Sequence, residues 1–296
     1  MGDSDVNNKT MPENLSPWID PNDKVPILLA LSLYGEIRKE LFSFKLFRND
    51  IRCAAWIGPS NIVIIGCRGT SIGSKYGTRD LQDDSIIALN SDYCDLTLVT
   101  LISKLVQDVY KKINNVPSGV DKVFDFVLGR KREVTNIIPT LIFAGHSLGG
   151  TAAICSAMKY PNSRAISLNG GAAPTNPILQ GVGPERATHY HIVGDLISSH
   201  MSNSAARVVR VKIPNIAFGT LSAHNSGNIL NKPFIIYSPT QEDDEYVRWG
   251  YKPKEYSVVS NVLALTPYHT FIKVLQIVDK NPIPNSDRWL AQQVIQ

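Results

Sequence analysis

Residues 140–160 read TLIFAGHSLGGTAAICSAMKY. The segment 140–145 is uncharged and nearly all apolar, the pattern of a short strand buried on both faces. From Gly149 to Tyr160 the chain is rich in small residues and has no proline, which reads as a closely packed helix. Between them Gly145-His146-Ser147-Leu148-Gly149 fits G-x-S-x-G. Three fixed positions of common residues recur by chance in about one chain in ten of this length. The strand before and the helix after make the match specific, because together they form a nucleophile elbow. An elbow holds its serine in a strained conformation at a sharp turn. Gly145, Gly149 and Gly150, followed by Ala152 and Ala153, let strand and helix pass without a side-chain clash. The first amides of the helix point to where negative charge would develop.

Working outward, strand and helix alternate. SRAISLNGG (163–171), ATHYHIVGD (187–195) and ARVVRVKIP (206–214) read as further strands. Upstream, IRCAAWIG (51–58) and NIVIIGCRG (61–69) flank Pro59-Ser60 and predict a hairpin. PILLALSLYGEIRKELF, from Pro26, predicts a helix with proline in its first turn. LTLVTLISKLVQDVYKKI, at about 97–114, predicts a second, with lysines gathered at its end. QEDDE (241–245) reads as an acidic turn, and a last helix is expected near 267–279. The fold class is therefore α/β, with a mostly parallel central sheet covered by helices on both faces. A flexible segment is expected over 1–24, one domain over 25–235, and a C-terminal extension packed on it over 236–296.

Composition narrows the function. The 296 residues are 43% hydrophobic, enough for one large core. The net charge of +4 is mild and scattered, which argues against a nucleic-acid partner. The basic run Gly129-Arg130-Lys131-Arg132 reads as a solvated turn. Cys53, Cys67, Cys94 and Cys155 show neither CxxC nor zinc spacing, so free thiols in a reducing compartment are expected. The first residues carry no apolar signal core, and no apolar run reaches the roughly 18 residues of a membrane span. An intracellular location is expected, with any contact with a membrane surface transient. No ligand cluster calls for a metal, and no cofactor is needed. No oligomeric state is legible in the chain.

A serine hydroxyl needs a base, and the base an orienting acid. Behind an elbow of this kind the chain order is serine, acid, histidine. Asp195 stands just past the strand ending in HYHIVG, where parallel sheets gather their chemistry, whereas Glu185 lies at the strand's other end. Of six histidines, His146 lies inside the elbow and should point away from the serine. His189 and His191 share one face of a strand, and His200 follows Asp195 too closely. His224 and His269 remain, and His224 is favoured as the base. The oxyanion hole is assigned to the amide of Leu148, after the nucleophile, and to that of Thr70, after the early strand NIVIIGC.

These residues resemble the class 3 lipase family, the fungal-lipase-like branch of the α/β hydrolases. Arg68-Gly69-Thr70 matches the family's strand end, and Asp80 and Asp84 its acidic pair, with Leu81 in place of the usual tryptophan. Gly-His-Ser-Leu-Gly-Gly is present unchanged at 145–150. Ser167 to Pro174 resembles the family's Asn-x-Gly-x-Pro turn, His191 to Ser198 the acid segment with Leu196 where proline is common, and His224-Asn225-Ser226 the base segment. The likeness covers about 27–235. It implies an α/β-hydrolase fold and a Ser147–Asp195–His224 triad acting on acylglycerols, phospholipids or other esters. The chain departs from the fungal enzymes in a shorter interval from Asp195 to His224, in having no amphipathic lid, and in its last 60 or so residues. The rival expectation is a catalytically idle protein of this fold with a structural or binding role.

Overall fold

The computed structural model describes residues 15–50, 52–69, 97–131, 133–171, 185–195, 198, 206–216, 221–229 and 232–249. Asp20 caps the first helix, α1 (Pro21–Leu31), through a bond from the Asn22 amide, with Pro21 in the first turn. Pro26 sits inside α1 and cannot donate to the Asn22 carbonyl, which instead accepts from the Arg164 guanidinium at 3.0 Å. The same guanidinium pairs with buried Asp23. The helix stops at Leu31, and a 3₁₀ turn (Ser32–Tyr34) leads to Gly35. The expected run of helix to Phe42 is thus corrected. Residues 40–49 form β1 (Glu40–Leu41) and β2 (Phe44–Asn49), joined by a tight turn at Phe42, φ 52°.

The hairpin β3 (Cys53–Ile57) and β4 (Ile62–Cys67) follows as expected. Next come α2 (Thr97–Ile113) and α3 (Gly119–Val127), then β5 (Thr140–His146), α4 (Leu148–Lys159), β6 (Ser163–Leu168), β7 (Ala187–Ile192) and β8 (Arg207–Lys212). A short helix α5 (Leu221–His224), a 3₁₀ turn (Ser226–Ile229), β9 (Ile235–Tyr237) and α6 (Pro239–Arg248) complete the described chain. The nine strands among the described residues lie in sequence order in one sheet. The pairs from β4 to β8 are parallel, and the flanking pairs are antiparallel.

Sequential parallel strands joined by right-handed crossovers put their helices on one face. There α2 and α4 pack with Val63, Ile65, Cys67 and Phe143. The alternate residues Ile64, Ile142 and Ile166 face the other way, where α1, Trp18 and Ile213 cover them. Both faces of the central strands are therefore dry, which accounts for their unbroken apolar runs.

Leu15, Trp18 and Ile19 are buried, and the Ser16 amide donates to the Ile229 carbonyl at 2.9 Å, so the packed body reaches back to residue 15. At the other end β9 pairs with β8, and Glu242, Glu245 and Tyr246 of α6 are buried, so this described segment packs on the same body. QEDDE is not a turn. It lies within α6, which Ser238 and Gln241 start with a capping box. Residues 1–14, Cys94 and the helix expected near 267–279 lie outside the described residues. Cys53, Cys67 and Cys155 are buried, and burial pushes the Cys53 thiol up to about 12. Among the described residues no helix is long and apolar enough to cross a membrane.

Candidate active site

The end of β5 carries Ser147 into a conformation with φ 58° and ψ −132°. A residue with a Cβ occupies this region only under strain, and the surroundings hold it there. The Ser147 amide donates to the Leu168 carbonyl of β6 at 2.9 Å, and the Ser147 carbonyl starts α4 by accepting from Gly150 and Thr151. The turn is possible because backbone meets backbone. A Cβ on Gly145 would overlap the Gly149 carbonyl, and one on Gly149 would overlap the Cys67 carbonyl.

Asp195 lies past the end of β7, after a turn in which Gly194 takes φ 100° and the Asp195 amide closes on the Ile192 carbonyl. Its carboxylate is buried and accepts from His224 Nδ1–H at 2.9 Å and from Ser198 Oγ–H at 2.7 Å. Burial alone would raise this carboxyl. The charge and hydrogen bond of His224 outweigh it, with His191 and Ser198 adding to them, and hold the carboxyl below its ordinary value. With Asp195 ionised, the His224 proton sits on Nδ1. Nε2 is then left to accept from the Ser147 hydroxyl, 2.8 Å away. The structure thus brings Ser147, Asp195 and His224 into one hydrogen-bonded line.

Sequence reading missed the supports of that line. The carbonyl of His224 accepts from His146 Nε2–H at 2.8 Å. The preceding carbonyl, that of Ala223, accepts from the side-chain amides of Asn169 and Asn228, each at 3.1 Å. Asn169 follows β6 and also accepts from the Ile192 amide at 3.0 Å, so one side chain ties the segment bearing His224 to the end of the strand that leads to Asp195. His146 indeed turns away from Ser147. Burial, chiefly, pulls its imidazole down to about 4, so it is neutral and its Nδ1 accepts from the Tyr34 hydroxyl at 3.0 Å. The Tyr34 oxygen in turn accepts from the Gly69 amide at 2.8 Å. A chain of hydrogen bonds therefore runs from the loop after β4, through Tyr34 and His146, to the backbone of His224.

Tyr34→Phe removes the middle of that chain while leaving a half-exposed ring in place. The expected result is a loss of about 1 kcal/mol of stability, because the Gly69 amide and the buried His146 ring lose the hydroxyl they share. Denaturant unfolding checks it, and an unchanged stability would show that the loop is held in another way.

The remaining sequence candidates divide. Leu148 is buried in the first turn of α4, where amides have no partner within the helix. Thr70, Asp80, Asp84, His200 and His269 lie outside the described residues. His189 and His191 are buried on the sheet and bond to Ser167 and Ser198. No group of three or more His, Cys, Asp or Glu that could hold a metal ion occurs among the described residues. The arrangement can shift a proton from a serine hydroxyl to an imidazole whose cation a buried carboxylate stabilises. No family model matches the chain, and a comparison with the curated proteins finds no match.

Proposed function

We propose that this chain is a serine hydrolase of the α/β-hydrolase fold that cleaves carboxylic esters, lipid esters foremost. The observation that carries the reading is the line Asp195–His224–Ser147, with bonds of 2.9 and 2.8 Å ending on a serine held at φ 58°. The fold assignment is supported by five successive parallel strands whose second delivers that serine at its carboxyl end. The preference for lipid esters rests on the likeness to class 3 lipases.

In the first half-reaction the Ser147 oxygen attacks the ester carbonyl carbon as its proton passes to His224 Nε2. Asp195 keeps the imidazole in the right tautomer and balances its charge. The carbonyl oxygen, now an oxyanion, accepts from the Leu148 amide and, by expectation, from that of Thr70. Collapse breaks the bond to the alcohol, which leaves with the proton from His224. Water then gives a proton to His224 and attacks the acyl-serine, and the acid departs as Ser147 regains its hydrogen.

A series of nitrophenyl esters of rising chain length, with Ser147→Ala as control, tests the reading. Turnover that vanishes in Ser147→Ala supports it, and a rise in kcat/KM with chain length supports the lipid assignment. A rate equal to that of Ser147→Ala at every length would overturn it.

A further inference from the structure

Behind Asp195 a second hydrogen-bonded line runs into the protein, and the mechanism above does not use it. His191 Nδ1 lies 2.6 Å from Ser198 Oγ, and the Ser198 hydroxyl donates to Asp195 Oδ2. On its other side His191 Nε2 is hydrogen-bonded to Glu242 of α6, whose second oxygen accepts from Arg210 Nε of β8. His191, Asp195, Ser198, Arg210 and Glu242 are all buried. The His189 ring stacks on that of His191 at 6.0 Å.

Proton counting fixes the directions. Ser198 Oγ has one proton, and an ionised Asp195 can only accept, so that proton lies on the bond to Asp195. The Ser198 oxygen must therefore accept from His191 Nδ1–H. Glu242 faces both His191 and Arg210, and their charges and bonds outweigh its burial and keep its carboxyl below the ordinary value. It too can only accept, so His191 Nε2 carries a proton as well. The buried row is then Asp195⁻, His191⁺, Glu242⁻, Arg210⁺, with each charge beside its opposite.

We propose that Ser198 and His191 are positioning residues for Asp195, and that Glu242 of α6 holds the His191 ring in the orientation that bonds Ser198. The inference rests on the hydrolase reading for its kinetics but not for its structure. Without the Glu242 charge, His191 keeps one ring proton and loses the charged partner that fixes its ring. The Ser198 hydroxyl is then held less firmly in line, and Asp195 loses a donor of fixed placement. Helix α6 is in this way part of the acid's support.

The test uses the full chain with Ser198→Ala, Ser198→Thr, Glu242→Gln and the Ser198→Ala/Glu242→Gln double variant. Thermal melts report the fold. On a short-chain nitrophenyl ester Ser198→Ala and Glu242→Gln each lower kcat about tenfold with KM within about twofold, since a bond to a charged group is lost. The double variant loses no more than either single one, because both act through the same proton. Ser198→Thr keeps the wild-type kcat. Nitrogen NMR of the histidine rings places protons on both nitrogens of His191 in the wild type and on one in Glu242→Gln. Wild-type kcat in both single variants, losses that multiply in the double variant, or a singly protonated His191 in the wild type would overturn the proposal. If Glu242→Gln does not fold, Ser198→Ala against Ser198→Thr and the wild-type spectrum decide. A wild type without esterase activity overturns the hydrolase reading and leaves the spectrum to judge this one.

Discussion

His224→Ala lowers kcat for a short-chain ester by about four orders of magnitude or more, because serine, base and acid act as a unit. The fold survives the change. The imidazole is a surface-edge group with 13% of its side chain exposed. The segment around it is fastened through backbone carbonyls, those of Ala223 and His224, which alanine retains. KM changes little, since the imidazole does its work as the proton moves. His269→Ala, by contrast, keeps most of the activity. Rate constants with a melting curve for each variant check both statements. A His224→Ala enzyme within tenfold of wild type would mean that another group takes the Ser147 proton.

Gly149→Ala destabilises the fold by about 3 kcal/mol or more, the upper range for overpacking a site that cannot relax. The added Cβ would collide with the Cys67 carbonyl and lie within 2.9 Å of the Arg68 carbonyl carbon, and both belong to backbone at the end of β4. A flexible side chain could swing aside, but the strand cannot without opening the pairing Cys67↔Gly145. Helix α4 would have to back away, loosening Leu148, Ala152 and Ala153 from the core they share with α2. Denaturant unfolding measures the loss. A change under about 0.5 kcal/mol would show that the helix does not press on the strand.

Much of this was legible in the chain because it is local. The run TLIFAG, the elbow and the small residues of α4 are neighbours in sequence, and each dictates the conformation of the next. Asp195 and His224 were legible by position, since each follows a strand whose pattern is plain. The misplaced elements have specific causes. Pro26 was read as a helix start, although Asp20-Pro21 is the stronger cap signal, because a proline inside a helix is costly unless its orphaned carbonyl finds a donor. Arg164 supplies that donor from 142 residues away. The capping box Ser238 to Gln241 was a readable signal, but the acidic cluster after it masked the helix. Tyr34, Asn169, Ser198 and Glu242 carry no motif of their own. Tyr34 meets His146 across 112 residues, and Glu242 meets His191 across 51, so only the folded sheet brings them together.

The central claim is that Ser147 is an activated nucleophile. Reaction of the wild-type chain with a fluorophosphonate probe, followed by peptide mass spectrometry, tests it most directly. The predicted result is one covalent adduct, on Ser147, absent from Ser147→Ala and formed at least a hundredfold more slowly in His224→Ala, in line with the roughly 10²–10⁴-fold contribution of a general base. An unlabelled wild type, or undiminished labelling of Ser147→Ala, would contradict it.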